Sequence, residues 1–175
     1  YLLAEKTESF IIIKADDSKE SLEILRHSCA HMMAQAIKEL YPEAKFFVGP
    51  VVKEGFYYDF KVESKISDED LPAIEKKMKE IADRKLPITR HQTTKEEFYE
   101  KFKNDELKQA VLKNIKDDTL TIYKQGDFED LCRGPHLPNT RMIRSFKLTR
   151  VAGAYLGGDE KNEIINNLII PEFKN

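Results

Sequence analysis

The sequence predicts an α+β domain, with an antiparallel sheet packed against a central helix and further helices outside. Three observations carry that expectation. Ser21 to Leu40 repeats apolar residues at helical spacing and holds two histidines one turn apart, His27 and His31. Short β-branched and aromatic runs bounded by Gly, Pro and Asp read as strands. Amphipathic segments lie between them. At 175 residues and 41% hydrophobic content, the chain can build one well-cored domain with at most a small appendage.

Phe10-Ile11-Ile12-Ile13 begins the strand pattern as a β-branched run. The His helix follows, with Asp17 as its expected N-cap and Glu20 at the capping-box spacing. At about 100° per residue, Leu22, Leu25, Cys29, Met32, Met33, Ala36 and Leu40 gather into one stripe. His27 and His31 fall on the other side, as a candidate site or as solvated surface residues. Tyr41-Pro42 stops the helix, because proline disfavours a helical residue before it. Phe46-Phe47-Val48 reads as a strand broken at Gly49-Pro50, and Val51 to Phe60 as two strands joined at Lys53-Glu54-Gly55. Leu71, Ile74, Met78 and Ile81 mark a second helix from Ser67 to about Arg84. Leu86 to Thr93 is the next expected strand, and its His91 has no motif partner. Thr94 to Asn114 is helical with a break at Asn104-Asp105, which leaves Lys108 as an ordinary surface lysine by default. Thr119 to Tyr123 is a strand; Asn162 to Asn175 reads as a terminal helix or loose tail.

Charge narrows the function classes. The 29 basic and 31 acidic residues leave a net charge of −2, with no global mark of a nucleic-acid or membrane binder. No apolar run approaches the roughly 18 residues of a membrane span. With no basic-then-apolar leader in these residues, Cys29 and Cys132 are expected as reduced thiols of a cytoplasmic protein. Opening on Tyr1 rather than methionine, the sequence is expected to be a piece of a longer protein. One stretch departs from the balance. From Leu131 to Gly158 there is no acidic residue, while Arg133, Arg141, Arg144, Lys147 and Arg150 are basic. Such a surface suits a phosphate-bearing ligand, or is simply a set of outward arginines.

The chemistry concentrates in two motifs, H-S-C-A-H at 27–31 and C-R-G-P-H at 132–136. Gly134-Pro135 excludes a continuous helix in the second, so a turn must bring Cys132 and His136 toward one point. Three imidazoles and one thiolate are an acceptable tetrahedral set, and zinc fits His27, His31, Cys132 and His136 best. A metal-free hydrolytic site, with an imidazole as general base, needs the same residues. A Cys–His nucleophilic pair is the weaker third reading, since no helix N-terminus follows Cys132 to activate a thiolate.

HxxxH followed by CxxxH resembles the editing domains of the threonyl- and alanyl-tRNA synthetases. The strings R-H-S-C-A-H, G-F-Y-Y-D, D-L-C-R-G-P-H and F-K-L-T-R-V-A-G-A-Y are similar to the bacterial threonyl type. They occur in order from about Phe10 to Glu160. The resemblance implies residues 1–14 as a lead-in strand or the end of a preceding domain, 15–160 as the editing domain, and 161–175 as a tail or linker. It implies hydrolysis of seryl-tRNA(Thr), as part of a threonyl-tRNA synthetase or as a free-standing trans-editing protein, in a pocket needing no cofactor, with the tRNA(Thr) acceptor end as partner. If the chain is a fragment, the catalytic and anticodon-binding domains of the synthetase are further partners; no membrane is involved. The alternatives are a zinc-binding, alanyl-type editing domain and a non-catalytic tRNA-binding module.

Carried over position by position, the resemblance implies His27 as the residue that positions or activates water. Lys108 would hold that water or stabilise negative charge. His31, Cys132 and His136 would line the pocket, Asp130 would take the substrate ammonium, and Gly49 and Tyr58 would form its wall. Arg133 joins the substrate-binding set. The sequence departs from the family at Leu156-Gly157, which replace an expected Trp-Arg pair. It carries no class II catalytic motif, so neither ATP binding nor charging of tRNA is expected of it.

Overall fold

The computed structural model describes residues 2–6, 9–13, 19–53, 55–64, 66–155 and 164–170, with side chains described only within 19–151. Leu2–Lys6 (β1) and Ser9–Ile13 (β2) pair antiparallel as a two-stranded sheet. The Asp17 cap lies outside the described residues. Lys19–Leu40 forms the helix α1.

Around α1 the chain builds two further antiparallel sheets. The larger comprises Lys45–Phe46 (β3), Val51–Val52 (β4), Gly55–Lys61 (β5), Arg150–Tyr155 (β9) and Ile164–Ile170 (β10), in the order β3-β5-β10-β9 with β4 also on β5. The smaller is Ile88–Thr94 (β6), Thr119–Gln125 (β7) and Phe128–Leu131 (β8), in sequence order. The helices Leu71–Asp83 (α2), Lys95–Lys101 (α3) and Glu106–Lys113 (α4) complete the α+β architecture.

The expectation for 162–175 needs correction. Residues 164–170 are neither helix nor tail but the strand β10, hydrogen-bonded between β5 and β9. Its sequence, I-I-N-N-L-I-I, does not alternate, so no local period marks it as a strand. Two neighbours distant in sequence decide its conformation, with Leu168 opposite both Tyr58 and Val151.

A second correction concerns α1. Rather than one apolar stripe and one open side, the helix is buried all round from Ser28 to Ile37. Leu40, assigned to the core stripe, is exposed. Phe56, Tyr58 and Phe60 alternate along β5 into the main core, as period-two strand geometry requires. Leu71, Ile74, Met78 and Ile81 of α2 join the same core.

A smaller core of Phe98, Leu112, Leu120 and Ile122 ties α3 and α4 to the β6-β7-β8 sheet. The helical break near Asn104-Asp105 is present, and its cause is visible. Asp105 caps α4 by accepting the amides of Leu107 and Lys108 at 3.1 and 3.0 Å. That cap fixes Lys108 in the first turn of α4.

Candidate active site

Four elements bring their side chains into one buried cluster: α1, α4, β5 and the turn after β8. The turn is held at both ends. Cys132 N–H donates to Thr121 O on β7 at 3.1 Å, and Leu137 N–H donates to Ser28 Oγ on α1 at 2.9 Å. Gly134 sits at φ +69°, and a Cβ there would collide with the Tyr123 hydroxyl, so glycine alone fits. Its amide donates to Cys132 Sγ at 3.3 Å.

The turn delivers His136 against α1. Its ring centroid lies 4.4 Å from that of His31, 4.4 Å from Tyr123 and 6.0 Å from His27. His136 Nε2 is 3.0 Å from Cys132 Sγ, and Nδ1 is 3.1 Å from Ser28 Oγ. Phe128 meets the edge of His31 at 6.1 Å. His27 and His31 are therefore not solvated surface residues: His31 is 5% exposed and His27 is half-buried.

Lys108 overturns its default as a surface lysine. It is 3% exposed, and its Nζ donates to Asp130 Oδ1. Tyr58 OH donates to Asp130 Oδ2, and Leu131 N–H adds a further bond to Oδ1 at 2.8 Å. One carboxylate thus locks α4, β5 and β8 together. Three of the roughly four acceptor sites of the Asp130 carboxylate are taken, two on Oδ1 and one on Oδ2. Gly49 lies on the Tyr58 ring, where a Cβ would come within 2.5 Å of two ring carbons.

Burial sets the protonation states. Desolvation, with smaller contributions from His27 and Lys108, pushes the His31 imidazole down to about 3. His136 is held well below its ordinary value by burial and by the two other histidines, and His27 is lowered by burial against a partly opposing Glu23. All three rings are neutral at pH 7. Burial raises the Cys132 thiol to about 11, so the nucleophilic Cys–His pair has neither thiolate nor imidazolium. Burial, then the Asp130 charge, holds the Tyr58 phenol well above its ordinary value.

The donor atoms of His31, Cys132 and His136 all lie within 4.8 Å of one another. Two imidazoles and a thiol that would ionise on binding suit zinc chemically. His27, the fourth member of the expected set, is not part of this group.

Sequence patterns did not single out Ser28, Tyr123 or Phe128, which hold and wall the histidines. Ser28 carries the one available signal, its place between the two histidines of H-S-C-A-H. Arg133 is exposed on the turn, and Arg141, Arg144 and Arg150 are exposed beyond it. Lys147 meets Glu75 at 3.6 Å. Lys79, Arg141 and Arg144 line one groove with Ile143 and Phe146.

Residues 120–165, from β7 through the C-R-G-P-H turn into β10, match the family described as the threonyl and alanyl tRNA synthetase second additional domain. The threonine–tRNA ligase of Campylobacter lari is 69% identical over 153 residues, 87% of this chain and 25% of that protein. Its counterpart from Helicobacter acinonychis is 66% identical over 150 residues, 86% of this chain and 24% of that protein. The Sulfurovum ligase is 64% identical over 156 residues, 89% of this chain and 26% of that protein. These matches support an editing domain of threonyl-tRNA synthetase. The chain spans about a quarter of the length of the curated relatives it matches. Both parts of the C-x-x-x-H motif fall inside the family match, and His136 packs on His31 of HxxxH. Among the described residues, no helix is long and apolar enough to cross a membrane.

Proposed function

We propose that the chain hydrolyses the ester joining serine to the 3′ end of tRNA(Thr), clearing tRNA mischarged by a synthetase active site elsewhere. The observation that supports this most is the neutral, buried histidine pocket beside a buried Lys108–Asp130 pair. A pocket built for threonine rejects serine, one methyl smaller, by only about 1–3 kcal/mol. Accuracy beyond that calls for a second, tighter pocket.

Hydrolysis needs a polarised water, stabilisation of the oxyanion and a proton for the leaving ribose oxygen. His27 is neutral and only half-buried, so solvent water can reach it and it can take a proton from that water. The Lys108 ammonium, held by Asp130, is the charge that stabilises the oxyanion. His31, Cys132 and His136 line the aminoacyl end, and Tyr58 and Gly49 restrict its width. Asp130 holds Lys108 and Tyr58, and the remaining acceptor site on its Oδ2 would take the substrate ammonium. Arg133 meets the tRNA backbone at the surface. The reaction is proposed to run without metal; His31, Cys132 and His136 would hold zinc if it bound, and zinc there would polarise water. ATP-dependent charging would belong to a synthetase active site outside these residues, whether joined to this domain or separate from it.

The test is deacylation of seryl-tRNA(Thr) and threonyl-tRNA(Thr) by this chain, with and without a chelator. Serine alone should be released, the chelator should not matter, and His27→Ala should slow release by roughly 10²–10⁴-fold, the range for loss of a general base. A folded His27→Ala protein hydrolysing at the wild-type rate would remove His27 from the mechanism. Loss of activity on chelation, restored by zinc, would favour the zinc reading. Tight tRNA binding with no release from either substrate would favour the binding module.

A further inference from the structure

Ser28 lies next to His27 on α1 and is fully buried against the Cys132–His136 turn. Its oxygen accepts the Leu137 amide at 2.9 Å and lies 3.1 Å from His136 Nδ1, while His136 Nε2 lies 3.0 Å from Cys132 Sγ. Both ring nitrogens are engaged, and a neutral imidazole carries one proton between them. Because the Leu137 amide supplies a proton to the Ser28 oxygen, the hydroxyl's own proton is free to point at Nδ1. That makes Nδ1 the acceptor and leaves the ring proton on Nε2, facing Cys132. The opposite tautomer would turn the ring proton onto the Ser28 oxygen and strand a buried O–H. The first leaves spare only an S–H, a far weaker donor.

We propose that Ser28 is a positioning residue of the pocket, its hydroxyl fixing His136 in the Nε2–H tautomer so that His136 offers a hydrogen-bond donor rather than a base. Ser28 acts through His136 and meets no substrate. The consequence is a division of labour along α1: the base function rests on His27, and the residue after it sets the donor. The kinetic consequence alone rests on the proposed deacylation; the tautomer does not.

The ring-nitrogen ¹⁵N NMR spectrum of His136 tests it in the intact chain. The wild type is expected to show the proton on Nε2, Ser28→Ala a mixture of tautomers, and Ser28→Thr the wild-type pattern again. In the deacylation assay, Ser28→Ala should lower kcat about 10- to 100-fold with KM little changed, as when other hydrogen-bond partners that orient a functional imidazole are lost. A wild-type ring protonated on Nδ1 would overturn the proposal even if Ser28→Ala failed to fold. So would a Ser28→Ala spectrum identical to wild type. If the wild type released no serine, the deacylase reading would fail while the NMR result still decided the role of Ser28.

Discussion

Lys108 and Asp130 form an ion pair in which each side chain is only 4% exposed. Removing one partner of such a pair strands the other charge in the interior, a loss of about 3–5 kcal/mol. Lys108→Met should therefore destabilise the fold by that order, and Asp130→Asn by a similar amount, measured by urea unfolding. The double variant Lys108→Met/Asp130→Asn should recover much of the loss, since no charge remains and the new amide oxygen still accepts the Tyr58 hydroxyl. Activity should stay absent in all three. A Lys108→Met protein as stable as wild type would mean that Asp130 finds water or another cation. Nothing in E-L-K-Q-A-V-L-K marks Lys108 as buried. Its amphipathic setting is that of a solvated lysine, and the carboxylate that buries it is supplied 22 residues later. The HxxxH and CxxxH motifs were legible because spacing of rare residue types survives without knowledge of the fold. The partners Ser28 and Tyr123 were not, because a serine in a helix and a tyrosine in a strand are common.

At the scale of elements, the segment linking β3 to β4 runs alongside β5. Phe47 N–H donates to Asp59 O at 2.8 Å, and Asp59 N–H donates to Val48 O at 2.9 Å. These bonds press Gly49 onto the Tyr58 ring, whose hydroxyl is anchored on Asp130. The ring cannot retreat without breaking that anchor. Gly49→Ala should accordingly cost about 1–3 kcal/mol by overpacking, and should distort the pocket wall. The expected measurement is a lowered urea midpoint together with a raised KM for seryl-tRNA(Thr). Unchanged values for both would mean that the segment shifts freely. Most elements were readable from local signals of this kind: the breaks at Gly49-Pro50 and Asn104-Asp105, and the period of α2. The strand β10 was not, because its pairing with β5 and β9 is non-local and its own sequence has no period.

Across the whole molecule, three lowered histidines couple folding to pH in one direction. His31 faces His27 on its own helix, Lys108 on α4, Tyr58 on β5, and Cys132 and His136 on the turn, and Asp130 on β8 acts on His136. In the unfolded chain an imidazole takes a proton near its ordinary value of 6.5, whereas in the folded chain His31 takes one only near 3. Between those values the unfolded state binds more protons, so stability rises with pH through the window and declines as acid is added. Each such proton contributes roughly 1.4 kcal/mol per pH unit. His136 and His27 act in the same sense. Glu106, whose carboxyl is lowered to about 2 by Lys45, begins to contribute about one pH unit above its ordinary value of 4.5 and contributes mainly below it. The upper part of the interval, from 6.5 to about 5.5, therefore reports the histidines with little from Glu106. Urea unfolding at steps across that interval should show a steady loss of stability, reduced in slope by His31→Gln. A flat profile over that interval would mean that the rings are solvated and charge freely. That result would also remove the neutral pocket on which the hydrolytic chemistry depends.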